Sequence, residues 1–498
     1  MILRLALAFI FAAATLSAAE KPPVVSPSKP DIIIFLADDL GFGDLGCYGN
    51  SIIQTPHIDA LATAGVRLTD CHSGGTVCSP SRASLLTGRT PFRSGFYYLS
   101  GPEGCHLQKE ESTIASLLRD DGYDTCFVGK WHLGSFEKDP TPADHGFDHW
   151  FATELNAFEG PEDPGKFVRN GEKVDKTGTW YCDAIVEEAI AWMKSRPDPD
   201  KPFLIVVCSH EPHTPIHPPE KYSAMYEDEL VGKKESIVGY GGVHRPLDRS
   251  ISENKKYYYG TVTQLDDAFG RLMGSLDETG KRDNSLVIFT SDNGPETPVT
   301  IQESGGQWED PIRDCCFGTP GPWKGMKRYV FEGGHRVPGI VRWPGKVPAG
   351  SLSTRLVNGT DWLPTVCAAA GIPVPTDRTI DGIDATPALL GKSAEREIPA
   401  CWTFPVSEDS RNLPGMAMRD GEHVIVGWFT PKINGREYSK WVKAAELSHF
   451  ALYDLSVDLF QETDLSSLRP EQFESSKEKM QALWKDIQKE APDWTEKE

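Results

Sequence analysis

The sequence predicts an α/β protein with a large mixed, mostly parallel sheet flanked by helices, followed by a smaller C-terminal α+β domain. Three observations predict this architecture: continuous apolar runs recur along the chain, helical patterns lie between them, and the composition changes after about residue 395. A run that is apolar throughout is typical of a strand buried on both faces of a parallel sheet. Strands that alternate with helices are typical of layered α/β proteins.

The elements of the first domain, over residues 31–395, follow from these patterns. Buried strands are predicted at three apolar runs, Asp31–Ala37, Phe203–Cys208 and Leu286–Thr290. A further strand is predicted at Tyr123–Val128. The strongest helical patterns are Glu110–Asp121, Thr179–Lys194 and Lys255–Glu278.

The C-terminal α+β domain is predicted over residues 396–498. We expect a hairpin turn within Ala417–His423, because the sequence AMRDGEH combines glycine with polar residues and leads into the apolar run Val424–Phe429. A short apolar segment follows at Ala451–Leu455, and the charged end of the chain is predicted to form a helix.

The first 19 residues are predicted to be a signal peptide. Arg4 supplies a positive start, Leu5–Leu16 is apolar, and the small residues Ser17–Ala19 favour cleavage after Ala19. A membrane anchor is the alternative, but the apolar stretch is shorter than the roughly 20 residues that cross a bilayer. Residues 20–30, rich in proline, serine and lysine, are predicted to be a disordered linker. We therefore expect a secreted or periplasmic protein without a membrane span.

The net charge of −21 argues against nucleic acid as a partner. Binding to phosphates requires a basic surface, and this chain is strongly acidic. An anionic substrate would need a local cationic pocket, because net charge governs solubility rather than the chemistry of one site.

The chain has eleven cysteines, so at least one stays unpaired if the others form disulfides. The sequence does not determine the pairing. The adjacent Cys315 and Cys316 are not expected to pair with each other.

The segment Cys78–Arg82, with sequence CSPSR, is the most informative motif, and the sequence ASLLTGR follows it directly. Proline at the first helical position and the following apolar run place Cys78 near the N-terminus of a helix. Free amide groups and the helix dipole at that position favour an anion. The alternative is that Cys78 is a small core residue, and five residues alone do not decide between the two.

Acidic residues follow two of the predicted strands. Asp38 and Asp39 come after the first strand, and Asp292 and Asn293 come after the strand at Leu286–Thr290. Ligands of α/β sheets gather at the carboxyl ends of strands, and these oxygen donors suit Ca²⁺ or Mg²⁺ better than Zn²⁺. A solvated turn with a helix cap is the alternative interpretation of either pair alone.

Three further segments carry candidate catalytic groups. Lys130 and His132 lie two residues apart in an extended segment, so both face one side while Trp131 faces the other. His213 lies between two prolines, which restrict its backbone, and histidine is a natural proton donor near neutral pH. His210 and His217 are alternative candidates for the same role. Lys327 lies in a cationic segment predicted to be a flexible loop. Each segment alone also fits a surface or packing role.

Taken together, these segments resemble the type I sulfatase family of the alkaline-phosphatase-like superfamily. The resemblance extends from Asp31 to about Leu465. It includes the sequence TPFRSGFY at Thr90–Tyr97, which is similar to N-acetylgalactosamine-6-sulfatases and arylsulfatases, and the sequence YDLS at Tyr453–Ser456. It assigns residues 31–395 to a sulfatase catalytic domain.

The resemblance implies a formylglycine, made from Cys78 by a maturation enzyme, whose hydrated aldehyde attacks sulfur. It also implies one Ca²⁺ ion, with ligands from Asp38, Asp39, Cys78, Asp292 and Asn293.

The family's catalytic roles are implied for five further residues. Arg82 and Lys130 would orient the hydrated aldehyde, and Lys130 would also contact sulfate. His132 would take a proton from the modified residue, and His213 would protonate the leaving oxygen. Lys327 would hold a sulfate oxygen.

The resemblance therefore implies an exported sulfatase acting on a sulfated carbohydrate. A formylglycine-dependent phosphonate or phosphodiester hydrolase is the second hypothesis, and a non-catalytic carbohydrate-binding protein is the third. We expect the loops Glu154–Asp175 and Tyr222–Asp248 to contribute to substrate choice, and solvated insertions are the alternative interpretation of both. A short oligosaccharide is expected to be preferred over bulk polymer.

Overall fold

The computed structural model of the chain describes residues 29–226, 251–296, 317–406, 413–433 and 437–495, together with two short strands at 237–238 and 244–245. The predicted signal peptide and its cleavage site, most of the linker, most of the loop Tyr222–Asp248, and Cys315 and Cys316 lie outside these residues. None of the described helices is long and apolar enough to cross a membrane.

A ten-stranded sheet forms the centre of the first domain. The strands of the described residues are β1 (Asp31–Ala37), β2 (Val66–Leu68), β3 (Cys71–His72), β4 (Asp124–Lys130), β5 (His149–Thr153), β6 (Phe167–Arg169), β7 (Glu172–Val174), β8 (Phe203–Cys208), β9 (Ile237–Val238), β10 (His244–Arg245), β11 (Ser285–Ser291), β12 (Gly339–Arg342), β13 (Ser351–Ser353), β14 (Val357–Asn358), β15 (Cys401–Phe404), β16 (Gly415–Asp420), β17 (His423–Thr430) and β18 (Glu446–Asp454).

The strand order of the large sheet is β13-β2-β12-β11-β1-β8-β4-β5-β6-β7. The neighbouring strands β11, β1, β8, β4 and β5 are all parallel. Strand β12 is antiparallel to both of its neighbours, and β6 and β7 form an antiparallel hairpin beside β5. The predicted mixed, mostly parallel sheet is confirmed.

Helices cover both faces of this sheet. The α-helices of the described residues are α1 (Pro56–Ala64), α2 (Cys78–Thr87), α3 (Ile114–Asp120), α4 (Tyr181–Ser195), α5 (Glu220–Ser223), α6 (Ile251–Glu278), α7 (Glu332–His335), α8 (Trp362–Ala370), α9 (Thr386–Leu389), α10 (Tyr438–Ala444) and α11 (Pro470–Glu490). Of these, α10 and α11 pack on the C-terminal sheet instead. The three predicted helices are confirmed as α3, α4 and α6. Helix α3 starts at Ile114 rather than at Glu110, because Thr113 and Ser116 form a capping box.

The helices on each face pack against the sheet through an apolar core. Ile32 and Ile34 of β1 lie in one core with residues of α2, α3 and α8. Ile33 and Phe35 lie in the other with residues of α1, α4 and α6. All four side chains are fully buried, which explains why β1 is apolar throughout.

The C-terminal part of the chain contains the antiparallel sheet β15-β16-β17-β18. The expected hairpin turn lies between β16 and β17 at Gly421, whose φ is 66°. Helix α11 packs on one face of this sheet, where Met480 and Trp484 join its core. The opposite face packs against Val77 and Val330 of the first domain. The predicted strands and terminal helix are confirmed, and the boundary at residue 396 stays a prediction.

The nine cysteines of the described residues are all free, and eight of them are buried. The disulfides that eleven cysteines allow are therefore not formed among these nine.

Candidate active site

The carboxyl ends of the parallel strands lie side by side. Ala37 at the end of β1 is paired with Ser291 at the end of β11, and Cys208 at the end of β8 is paired with Gly129 of β4. Residues that follow these ends must therefore meet at one edge of the sheet. They are Asp38 and Asp39 after β1, Asp292 and Asn293 after β11, Lys130 at the end of β4, His132 two residues beyond it, and His213 after β8.

Cys78 is the first residue of α2 and is only 2% exposed. The prediction that Pro80 starts the helix is wrong by less than one turn, because Val77 is the N-cap residue. Cys78 Sγ lies 3.6 Å from Asp38 Oδ1. Burial and then the Asp38 charge raise the pKa of the thiol to about 12. The unmodified cysteine is therefore a neutral thiol rather than a thiolate.

Asp38 is bound by two cationic side chains. Lys130 Nζ donates to Asp38 Oδ2 at 2.5 Å, and Arg82 Nη2 donates to the same oxygen at 3.1 Å. Arg82 Nη2 also lies 2.8 Å from Asp292 Oδ2, so it links the ends of β1 and β11. Burial alone would raise the pKa of Asp38. The opposite effect of Lys130, His213 and Arg82 is larger, so this pKa lies well below its usual value.

Asp39 lies beside Lys327, which is 3% exposed. Lys327 Nζ donates to Asp39 Oδ2 at 2.8 Å and lies 3.2 Å from Glu296 Oε2. Asn293 Nδ2 donates to Asp39 Oδ1 at 2.6 Å. Burial opposes the charge of Lys327, but Asp39 outweighs it and raises the pKa of the lysine well above its usual value.

The oxygen-rich cluster at the two strand ends fits a hard divalent cation. Asn293 Oδ1 is buried and has no hydrogen-bond partner among the described residues. Burial raises the pKa of Asp39 and of Asp292, so these carboxylates need additional positive charge to be ionised together. Carboxylate and amide oxygens are ligands that Ca²⁺ prefers. Single donor atoms lie within 4.8 Å of one another on Asp38, Asp39, Cys78 and His213.

Two histidines face the same region. His213 Nδ1 lies 2.5 Å from the carbonyl oxygen of Thr214, and its Nε2 lies 3.6 Å from Asp39 Oδ2. Burial lowers the pKa of His213 and of His132 well below the usual value, aided by Lys327 and by Lys130 respectively. Both imidazoles are therefore neutral near pH 7. A proton-donor role for His213 requires an anionic substrate that offsets these cations.

The segment around Lys327 is a loop, as predicted, but Lys327 itself is buried rather than solvated. The Lys327 amide donates to the Pro295 carbonyl at 3.0 Å, and the Arg328 amide donates to the Thr76 carbonyl at 2.9 Å. These bonds tie the segment to the loops after β11 and before α2. Lys327 therefore occupies a defined position at the site.

Sequence reasoning missed two residues of the site. Asn156 donates through Nδ2 to Asp38 Oδ2 at 3.2 Å, and the same nitrogen lies 3.0 Å from His210 Nδ1. Glu296 is buried against Lys327 and Arg328, and these cations overcome burial and hold its pKa below the usual value. Neither residue lies in a recognisable motif, although each follows a strand end by a few positions.

Comparison with known proteins agrees with this geometry. A family model described as Sulfatase matches residues 30–372. The chain is similar to N-acetylgalactosamine-6-sulfatase of Sus scrofa, with 32% identity over 409 residues that cover 77% of this chain and 70% of that protein. Its structure is similar to that of Ps i-CgsB in complex with k-i-k-neocarrahexaose, with a TM-score of 0.74, 24% identity, and coverage of 93% and 94% of the two chains. It also shares its fold with the phosphonate monoester hydrolase of Agrobacterium radiobacter, with a TM-score of 0.62, 20% identity, and coverage of 92% and 96%.

Proposed function

Because the chain belongs to the sulfatase family and is a sulfuric ester hydrolase, we propose that it removes sulfate from a saccharide by means of a formylglycine made from Cys78 and one Ca²⁺ ion. The position of Cys78 carries this proposal. Its thiol is buried next to Asp38, and a pKa raised to about 12 leaves little thiolate near neutral pH. Conversion of Cys78 would supply the nucleophile that the thiol does not.

The proposed ligands of the ion are Asp38, Asp39, Asp292, Asn293 and the converted residue 78. When both groups are present, the hydrated aldehyde supplies a hydroxyl that attacks sulfur, and the ion supplies positive charge beside it. The partnerless Asn293 Oδ1 and the crowded carboxylates support this assignment.

Lys130 and Lys327 are proposed to bind sulfate oxygens. Lys130 is fully buried and Lys327 is 3% exposed, so their charges act where water is largely excluded. Fixed cations aimed at oxygens that gain charge stabilise the transition state. Arg82 is proposed to orient residue 78, because it holds both Asp38 and Asp292 in place.

The two histidines are proposed to move protons. The Nδ1–H of His213 donates to the Thr214 carbonyl, and an anionic substrate that raises the pKa of the imidazole would place a second proton on Nε2, which His213 then gives to the leaving oxygen. His132 is neutral because burial and Lys130 lower its pKa, so it is suited to accept a proton from residue 78.

Parallel assays with the sulfate monoester and a phosphodiester of 4-nitrophenol test the reaction class. The fold shared with a phosphonate monoester hydrolase makes this comparison necessary, since a fold does not specify the substrate. Dominant sulfate turnover is expected. Dominant phosphodiester turnover would overturn the proposal.

Peptide mass spectrometry tests the nucleophile and separates an enzyme from a carbohydrate-binding pseudoenzyme. Conversion of Cys78 is expected to lower the peptide mass by about 18 Da. Activity should scale with the converted fraction and be absent from Cys78→Ala. Full activity in protein whose Cys78 remains a thiol would refute the formylglycine assignment.

We also propose export, a maturation enzyme as partner, and a short sulfated oligosaccharide as substrate. The predicted signal peptide supports export, and the relative named for a sulfated amino sugar supports the substrate class. Activity on long sulfated chains but not on their oligosaccharides would contradict the preference for short substrates.

A further inference from the structure

A cavity of about 560 Å³ lies at the same edge of the sheet as the candidate active site. Residues after β5 and the β6–β7 hairpin line it, and most belong to the loop Glu154–Asp175. Because β6 is antiparallel to β5, with Ala152 opposite Val168, the hairpin begins next to the carboxyl end of β5. The volume is within the range of about 300–1,000 Å³ that is typical of small-ligand sites.

Asn156 connects this cavity to the reacting centre. It is one of the lining residues, and its Nδ2 donates to Asp38 Oδ2 at 3.2 Å. Asp38 Oδ1 in turn lies 3.6 Å from Cys78 Sγ. Asn156 therefore links the wall of the cavity to the carboxylate beside residue 78.

The lining combines half-exposed apolar side chains with a buried aromatic ring. Leu155 and Phe158 are 45% and 44% exposed, whereas Phe167 is fully buried. Exposed apolar surface at a concave site is typical of ligand binding. Phe167 is stacked on Phe151, so the aromatic surface that a pyranose ring could pack against is that of Phe158.

The charges around the cavity disfavour a second anionic group. The lining residues include four carboxylates and two lysines, so together they carry two net negative charges. These residues are Glu137, Glu154, Glu159, Asp175, Lys166 and Lys173. Lys166 Nζ lies 2.7 Å from Glu159, and Lys173 Nζ lies 3.9 Å from Glu137. Each lysine therefore already faces a carboxylate, and a second sulfate or a uronate would meet net negative charge.

We propose that this cavity binds an uncharged sugar joined to the sulfated sugar. The enzyme then prefers a sulfated unit linked to a neutral pyranose over the same unit linked to a uronate. This inference rests on the proposed sulfatase function and adds to it the chemical class of the neighbouring sugar.

The test uses enzyme with converted Cys78 and a panel of sulfated monosaccharides. Each sugar is also supplied as a disaccharide with galactose and as a disaccharide with glucuronate, and 4-nitrophenyl sulfate is assayed in parallel. For the sugar that is hydrolysed, addition of galactose is expected to raise kcat/KM about tenfold, the equivalent of one well-packed apolar contact. Addition of glucuronate is expected to give no gain.

Phe158→Ala is expected to reduce the disaccharide-to-monosaccharide ratio of kcat/KM to near one. Phe460→Ala is the matched control, because Phe460 is 54% exposed and does not line the cavity. Equal gains with both disaccharides, no gain with galactose, or an unchanged ratio in Phe158→Ala would overturn the cavity assignment. Turnover of 4-nitrophenyl sulfate without turnover of any sugar would also overturn it. Failure to hydrolyse any sulfate ester would instead refute the proposed function.

Discussion

Replacing Asn156 tests whether its amide controls Asp38. Asn156 is 8% exposed, and its Nδ2 lies 3.2 Å from Asp38 Oδ2. Asn156→Ala removes one hydrogen bond to a charged group, worth about 1.5–3 kcal/mol. If this energy is expressed in the transition state, kcat/KM falls by roughly 10- to 150-fold.

Asn156→Asp keeps the size of the side chain but replaces the donor with a carboxylate. Two unit charges 3.2 Å apart repel by about 5 kcal/mol at an effective dielectric constant of about 20. Lys130 and Arg82 offset part of this repulsion. We therefore expect a larger loss than in Asn156→Ala, and a loss that lessens as the pH falls, because a shared proton removes the repulsion.

The assay is hydrolysis of 4-nitrophenyl sulfate, with equal conversion of Cys78 verified by peptide mass and folding verified by the melting temperature. Asn170→Asp is the matched control, since Asn170 lies in the turn between β6 and β7 and the substitution adds the same charge there. Wild-type activity in Asn156→Asp, or a smaller loss than in Asn156→Ala, would refute the argument that the donor at position 156 matters.

Three further outcomes are expected. Lys327→Met removes the cation that lies 2.8 Å from Asp39 Oδ2. In steady-state assays kcat is expected to fall about 10²–10³-fold. An unchanged kcat would exclude Lys327 from sulfate binding. Removal of metal by a chelator is expected to lower both the activity and the melting temperature, because a bound metal ion stabilises the folded state. Addition of Ca²⁺ is expected to restore both. Full activity in metal-free enzyme would contradict the Ca²⁺ assignment. Burial raises the pKa of Glu332, but His72 and Arg336 outweigh it and hold this pKa at about 2 in the folded state. A depressed folded-state pKa stabilises the fold above the ordinary value of 4.5, and this stability is lost as the pH falls towards 2. Melting temperatures measured between pH 6 and pH 3 should therefore fall less steeply in Arg336→Met.

Short-range patterns predicted the central strands and their polar ends. Strands β1 and β8 have the predicted bounds, because a strand covered on both faces must be apolar throughout. The pairing of Asp38–Asp39 with Asp292–Asn293 was also predictable, since parallel strands place their carboxyl ends at one edge. Lys130 and Trp131 follow the expected alternation: Lys130 contacts Asp38, and Trp131 packs against Phe127 in the core. The prediction of an extended segment is wrong at His132, because β4 ends at Lys130 and the φ of His132 is 56°.

Local sequence patterns did not predict the residues whose positions depend on tertiary packing. Lys327 lies in a stretch of charges that favours a solvated loop, yet it is buried because neighbouring loops bind its backbone. His335 is a similar case, since its ring lies flat on Trp402 of the C-terminal sheet, with 3.9 Å between ring centroids, and its Nδ1 lies 2.9 Å from His72 Nδ1. The C-terminal sheet therefore helps to hold the segment that carries Lys327.

The sequence by itself determined the fold class, the strands that end in acidic residues, and the position of Cys78 at the start of a helix. These features depend on periodicity and on residues that are neighbours along the chain. Only the tertiary structure decided that Asn156 contacts Asp38, that Lys327 is buried, and that a cavity with net negative charge adjoins the site. The physical reason is that strand order and core packing bring together segments that are far apart in the chain, and local patterns do not encode those distances.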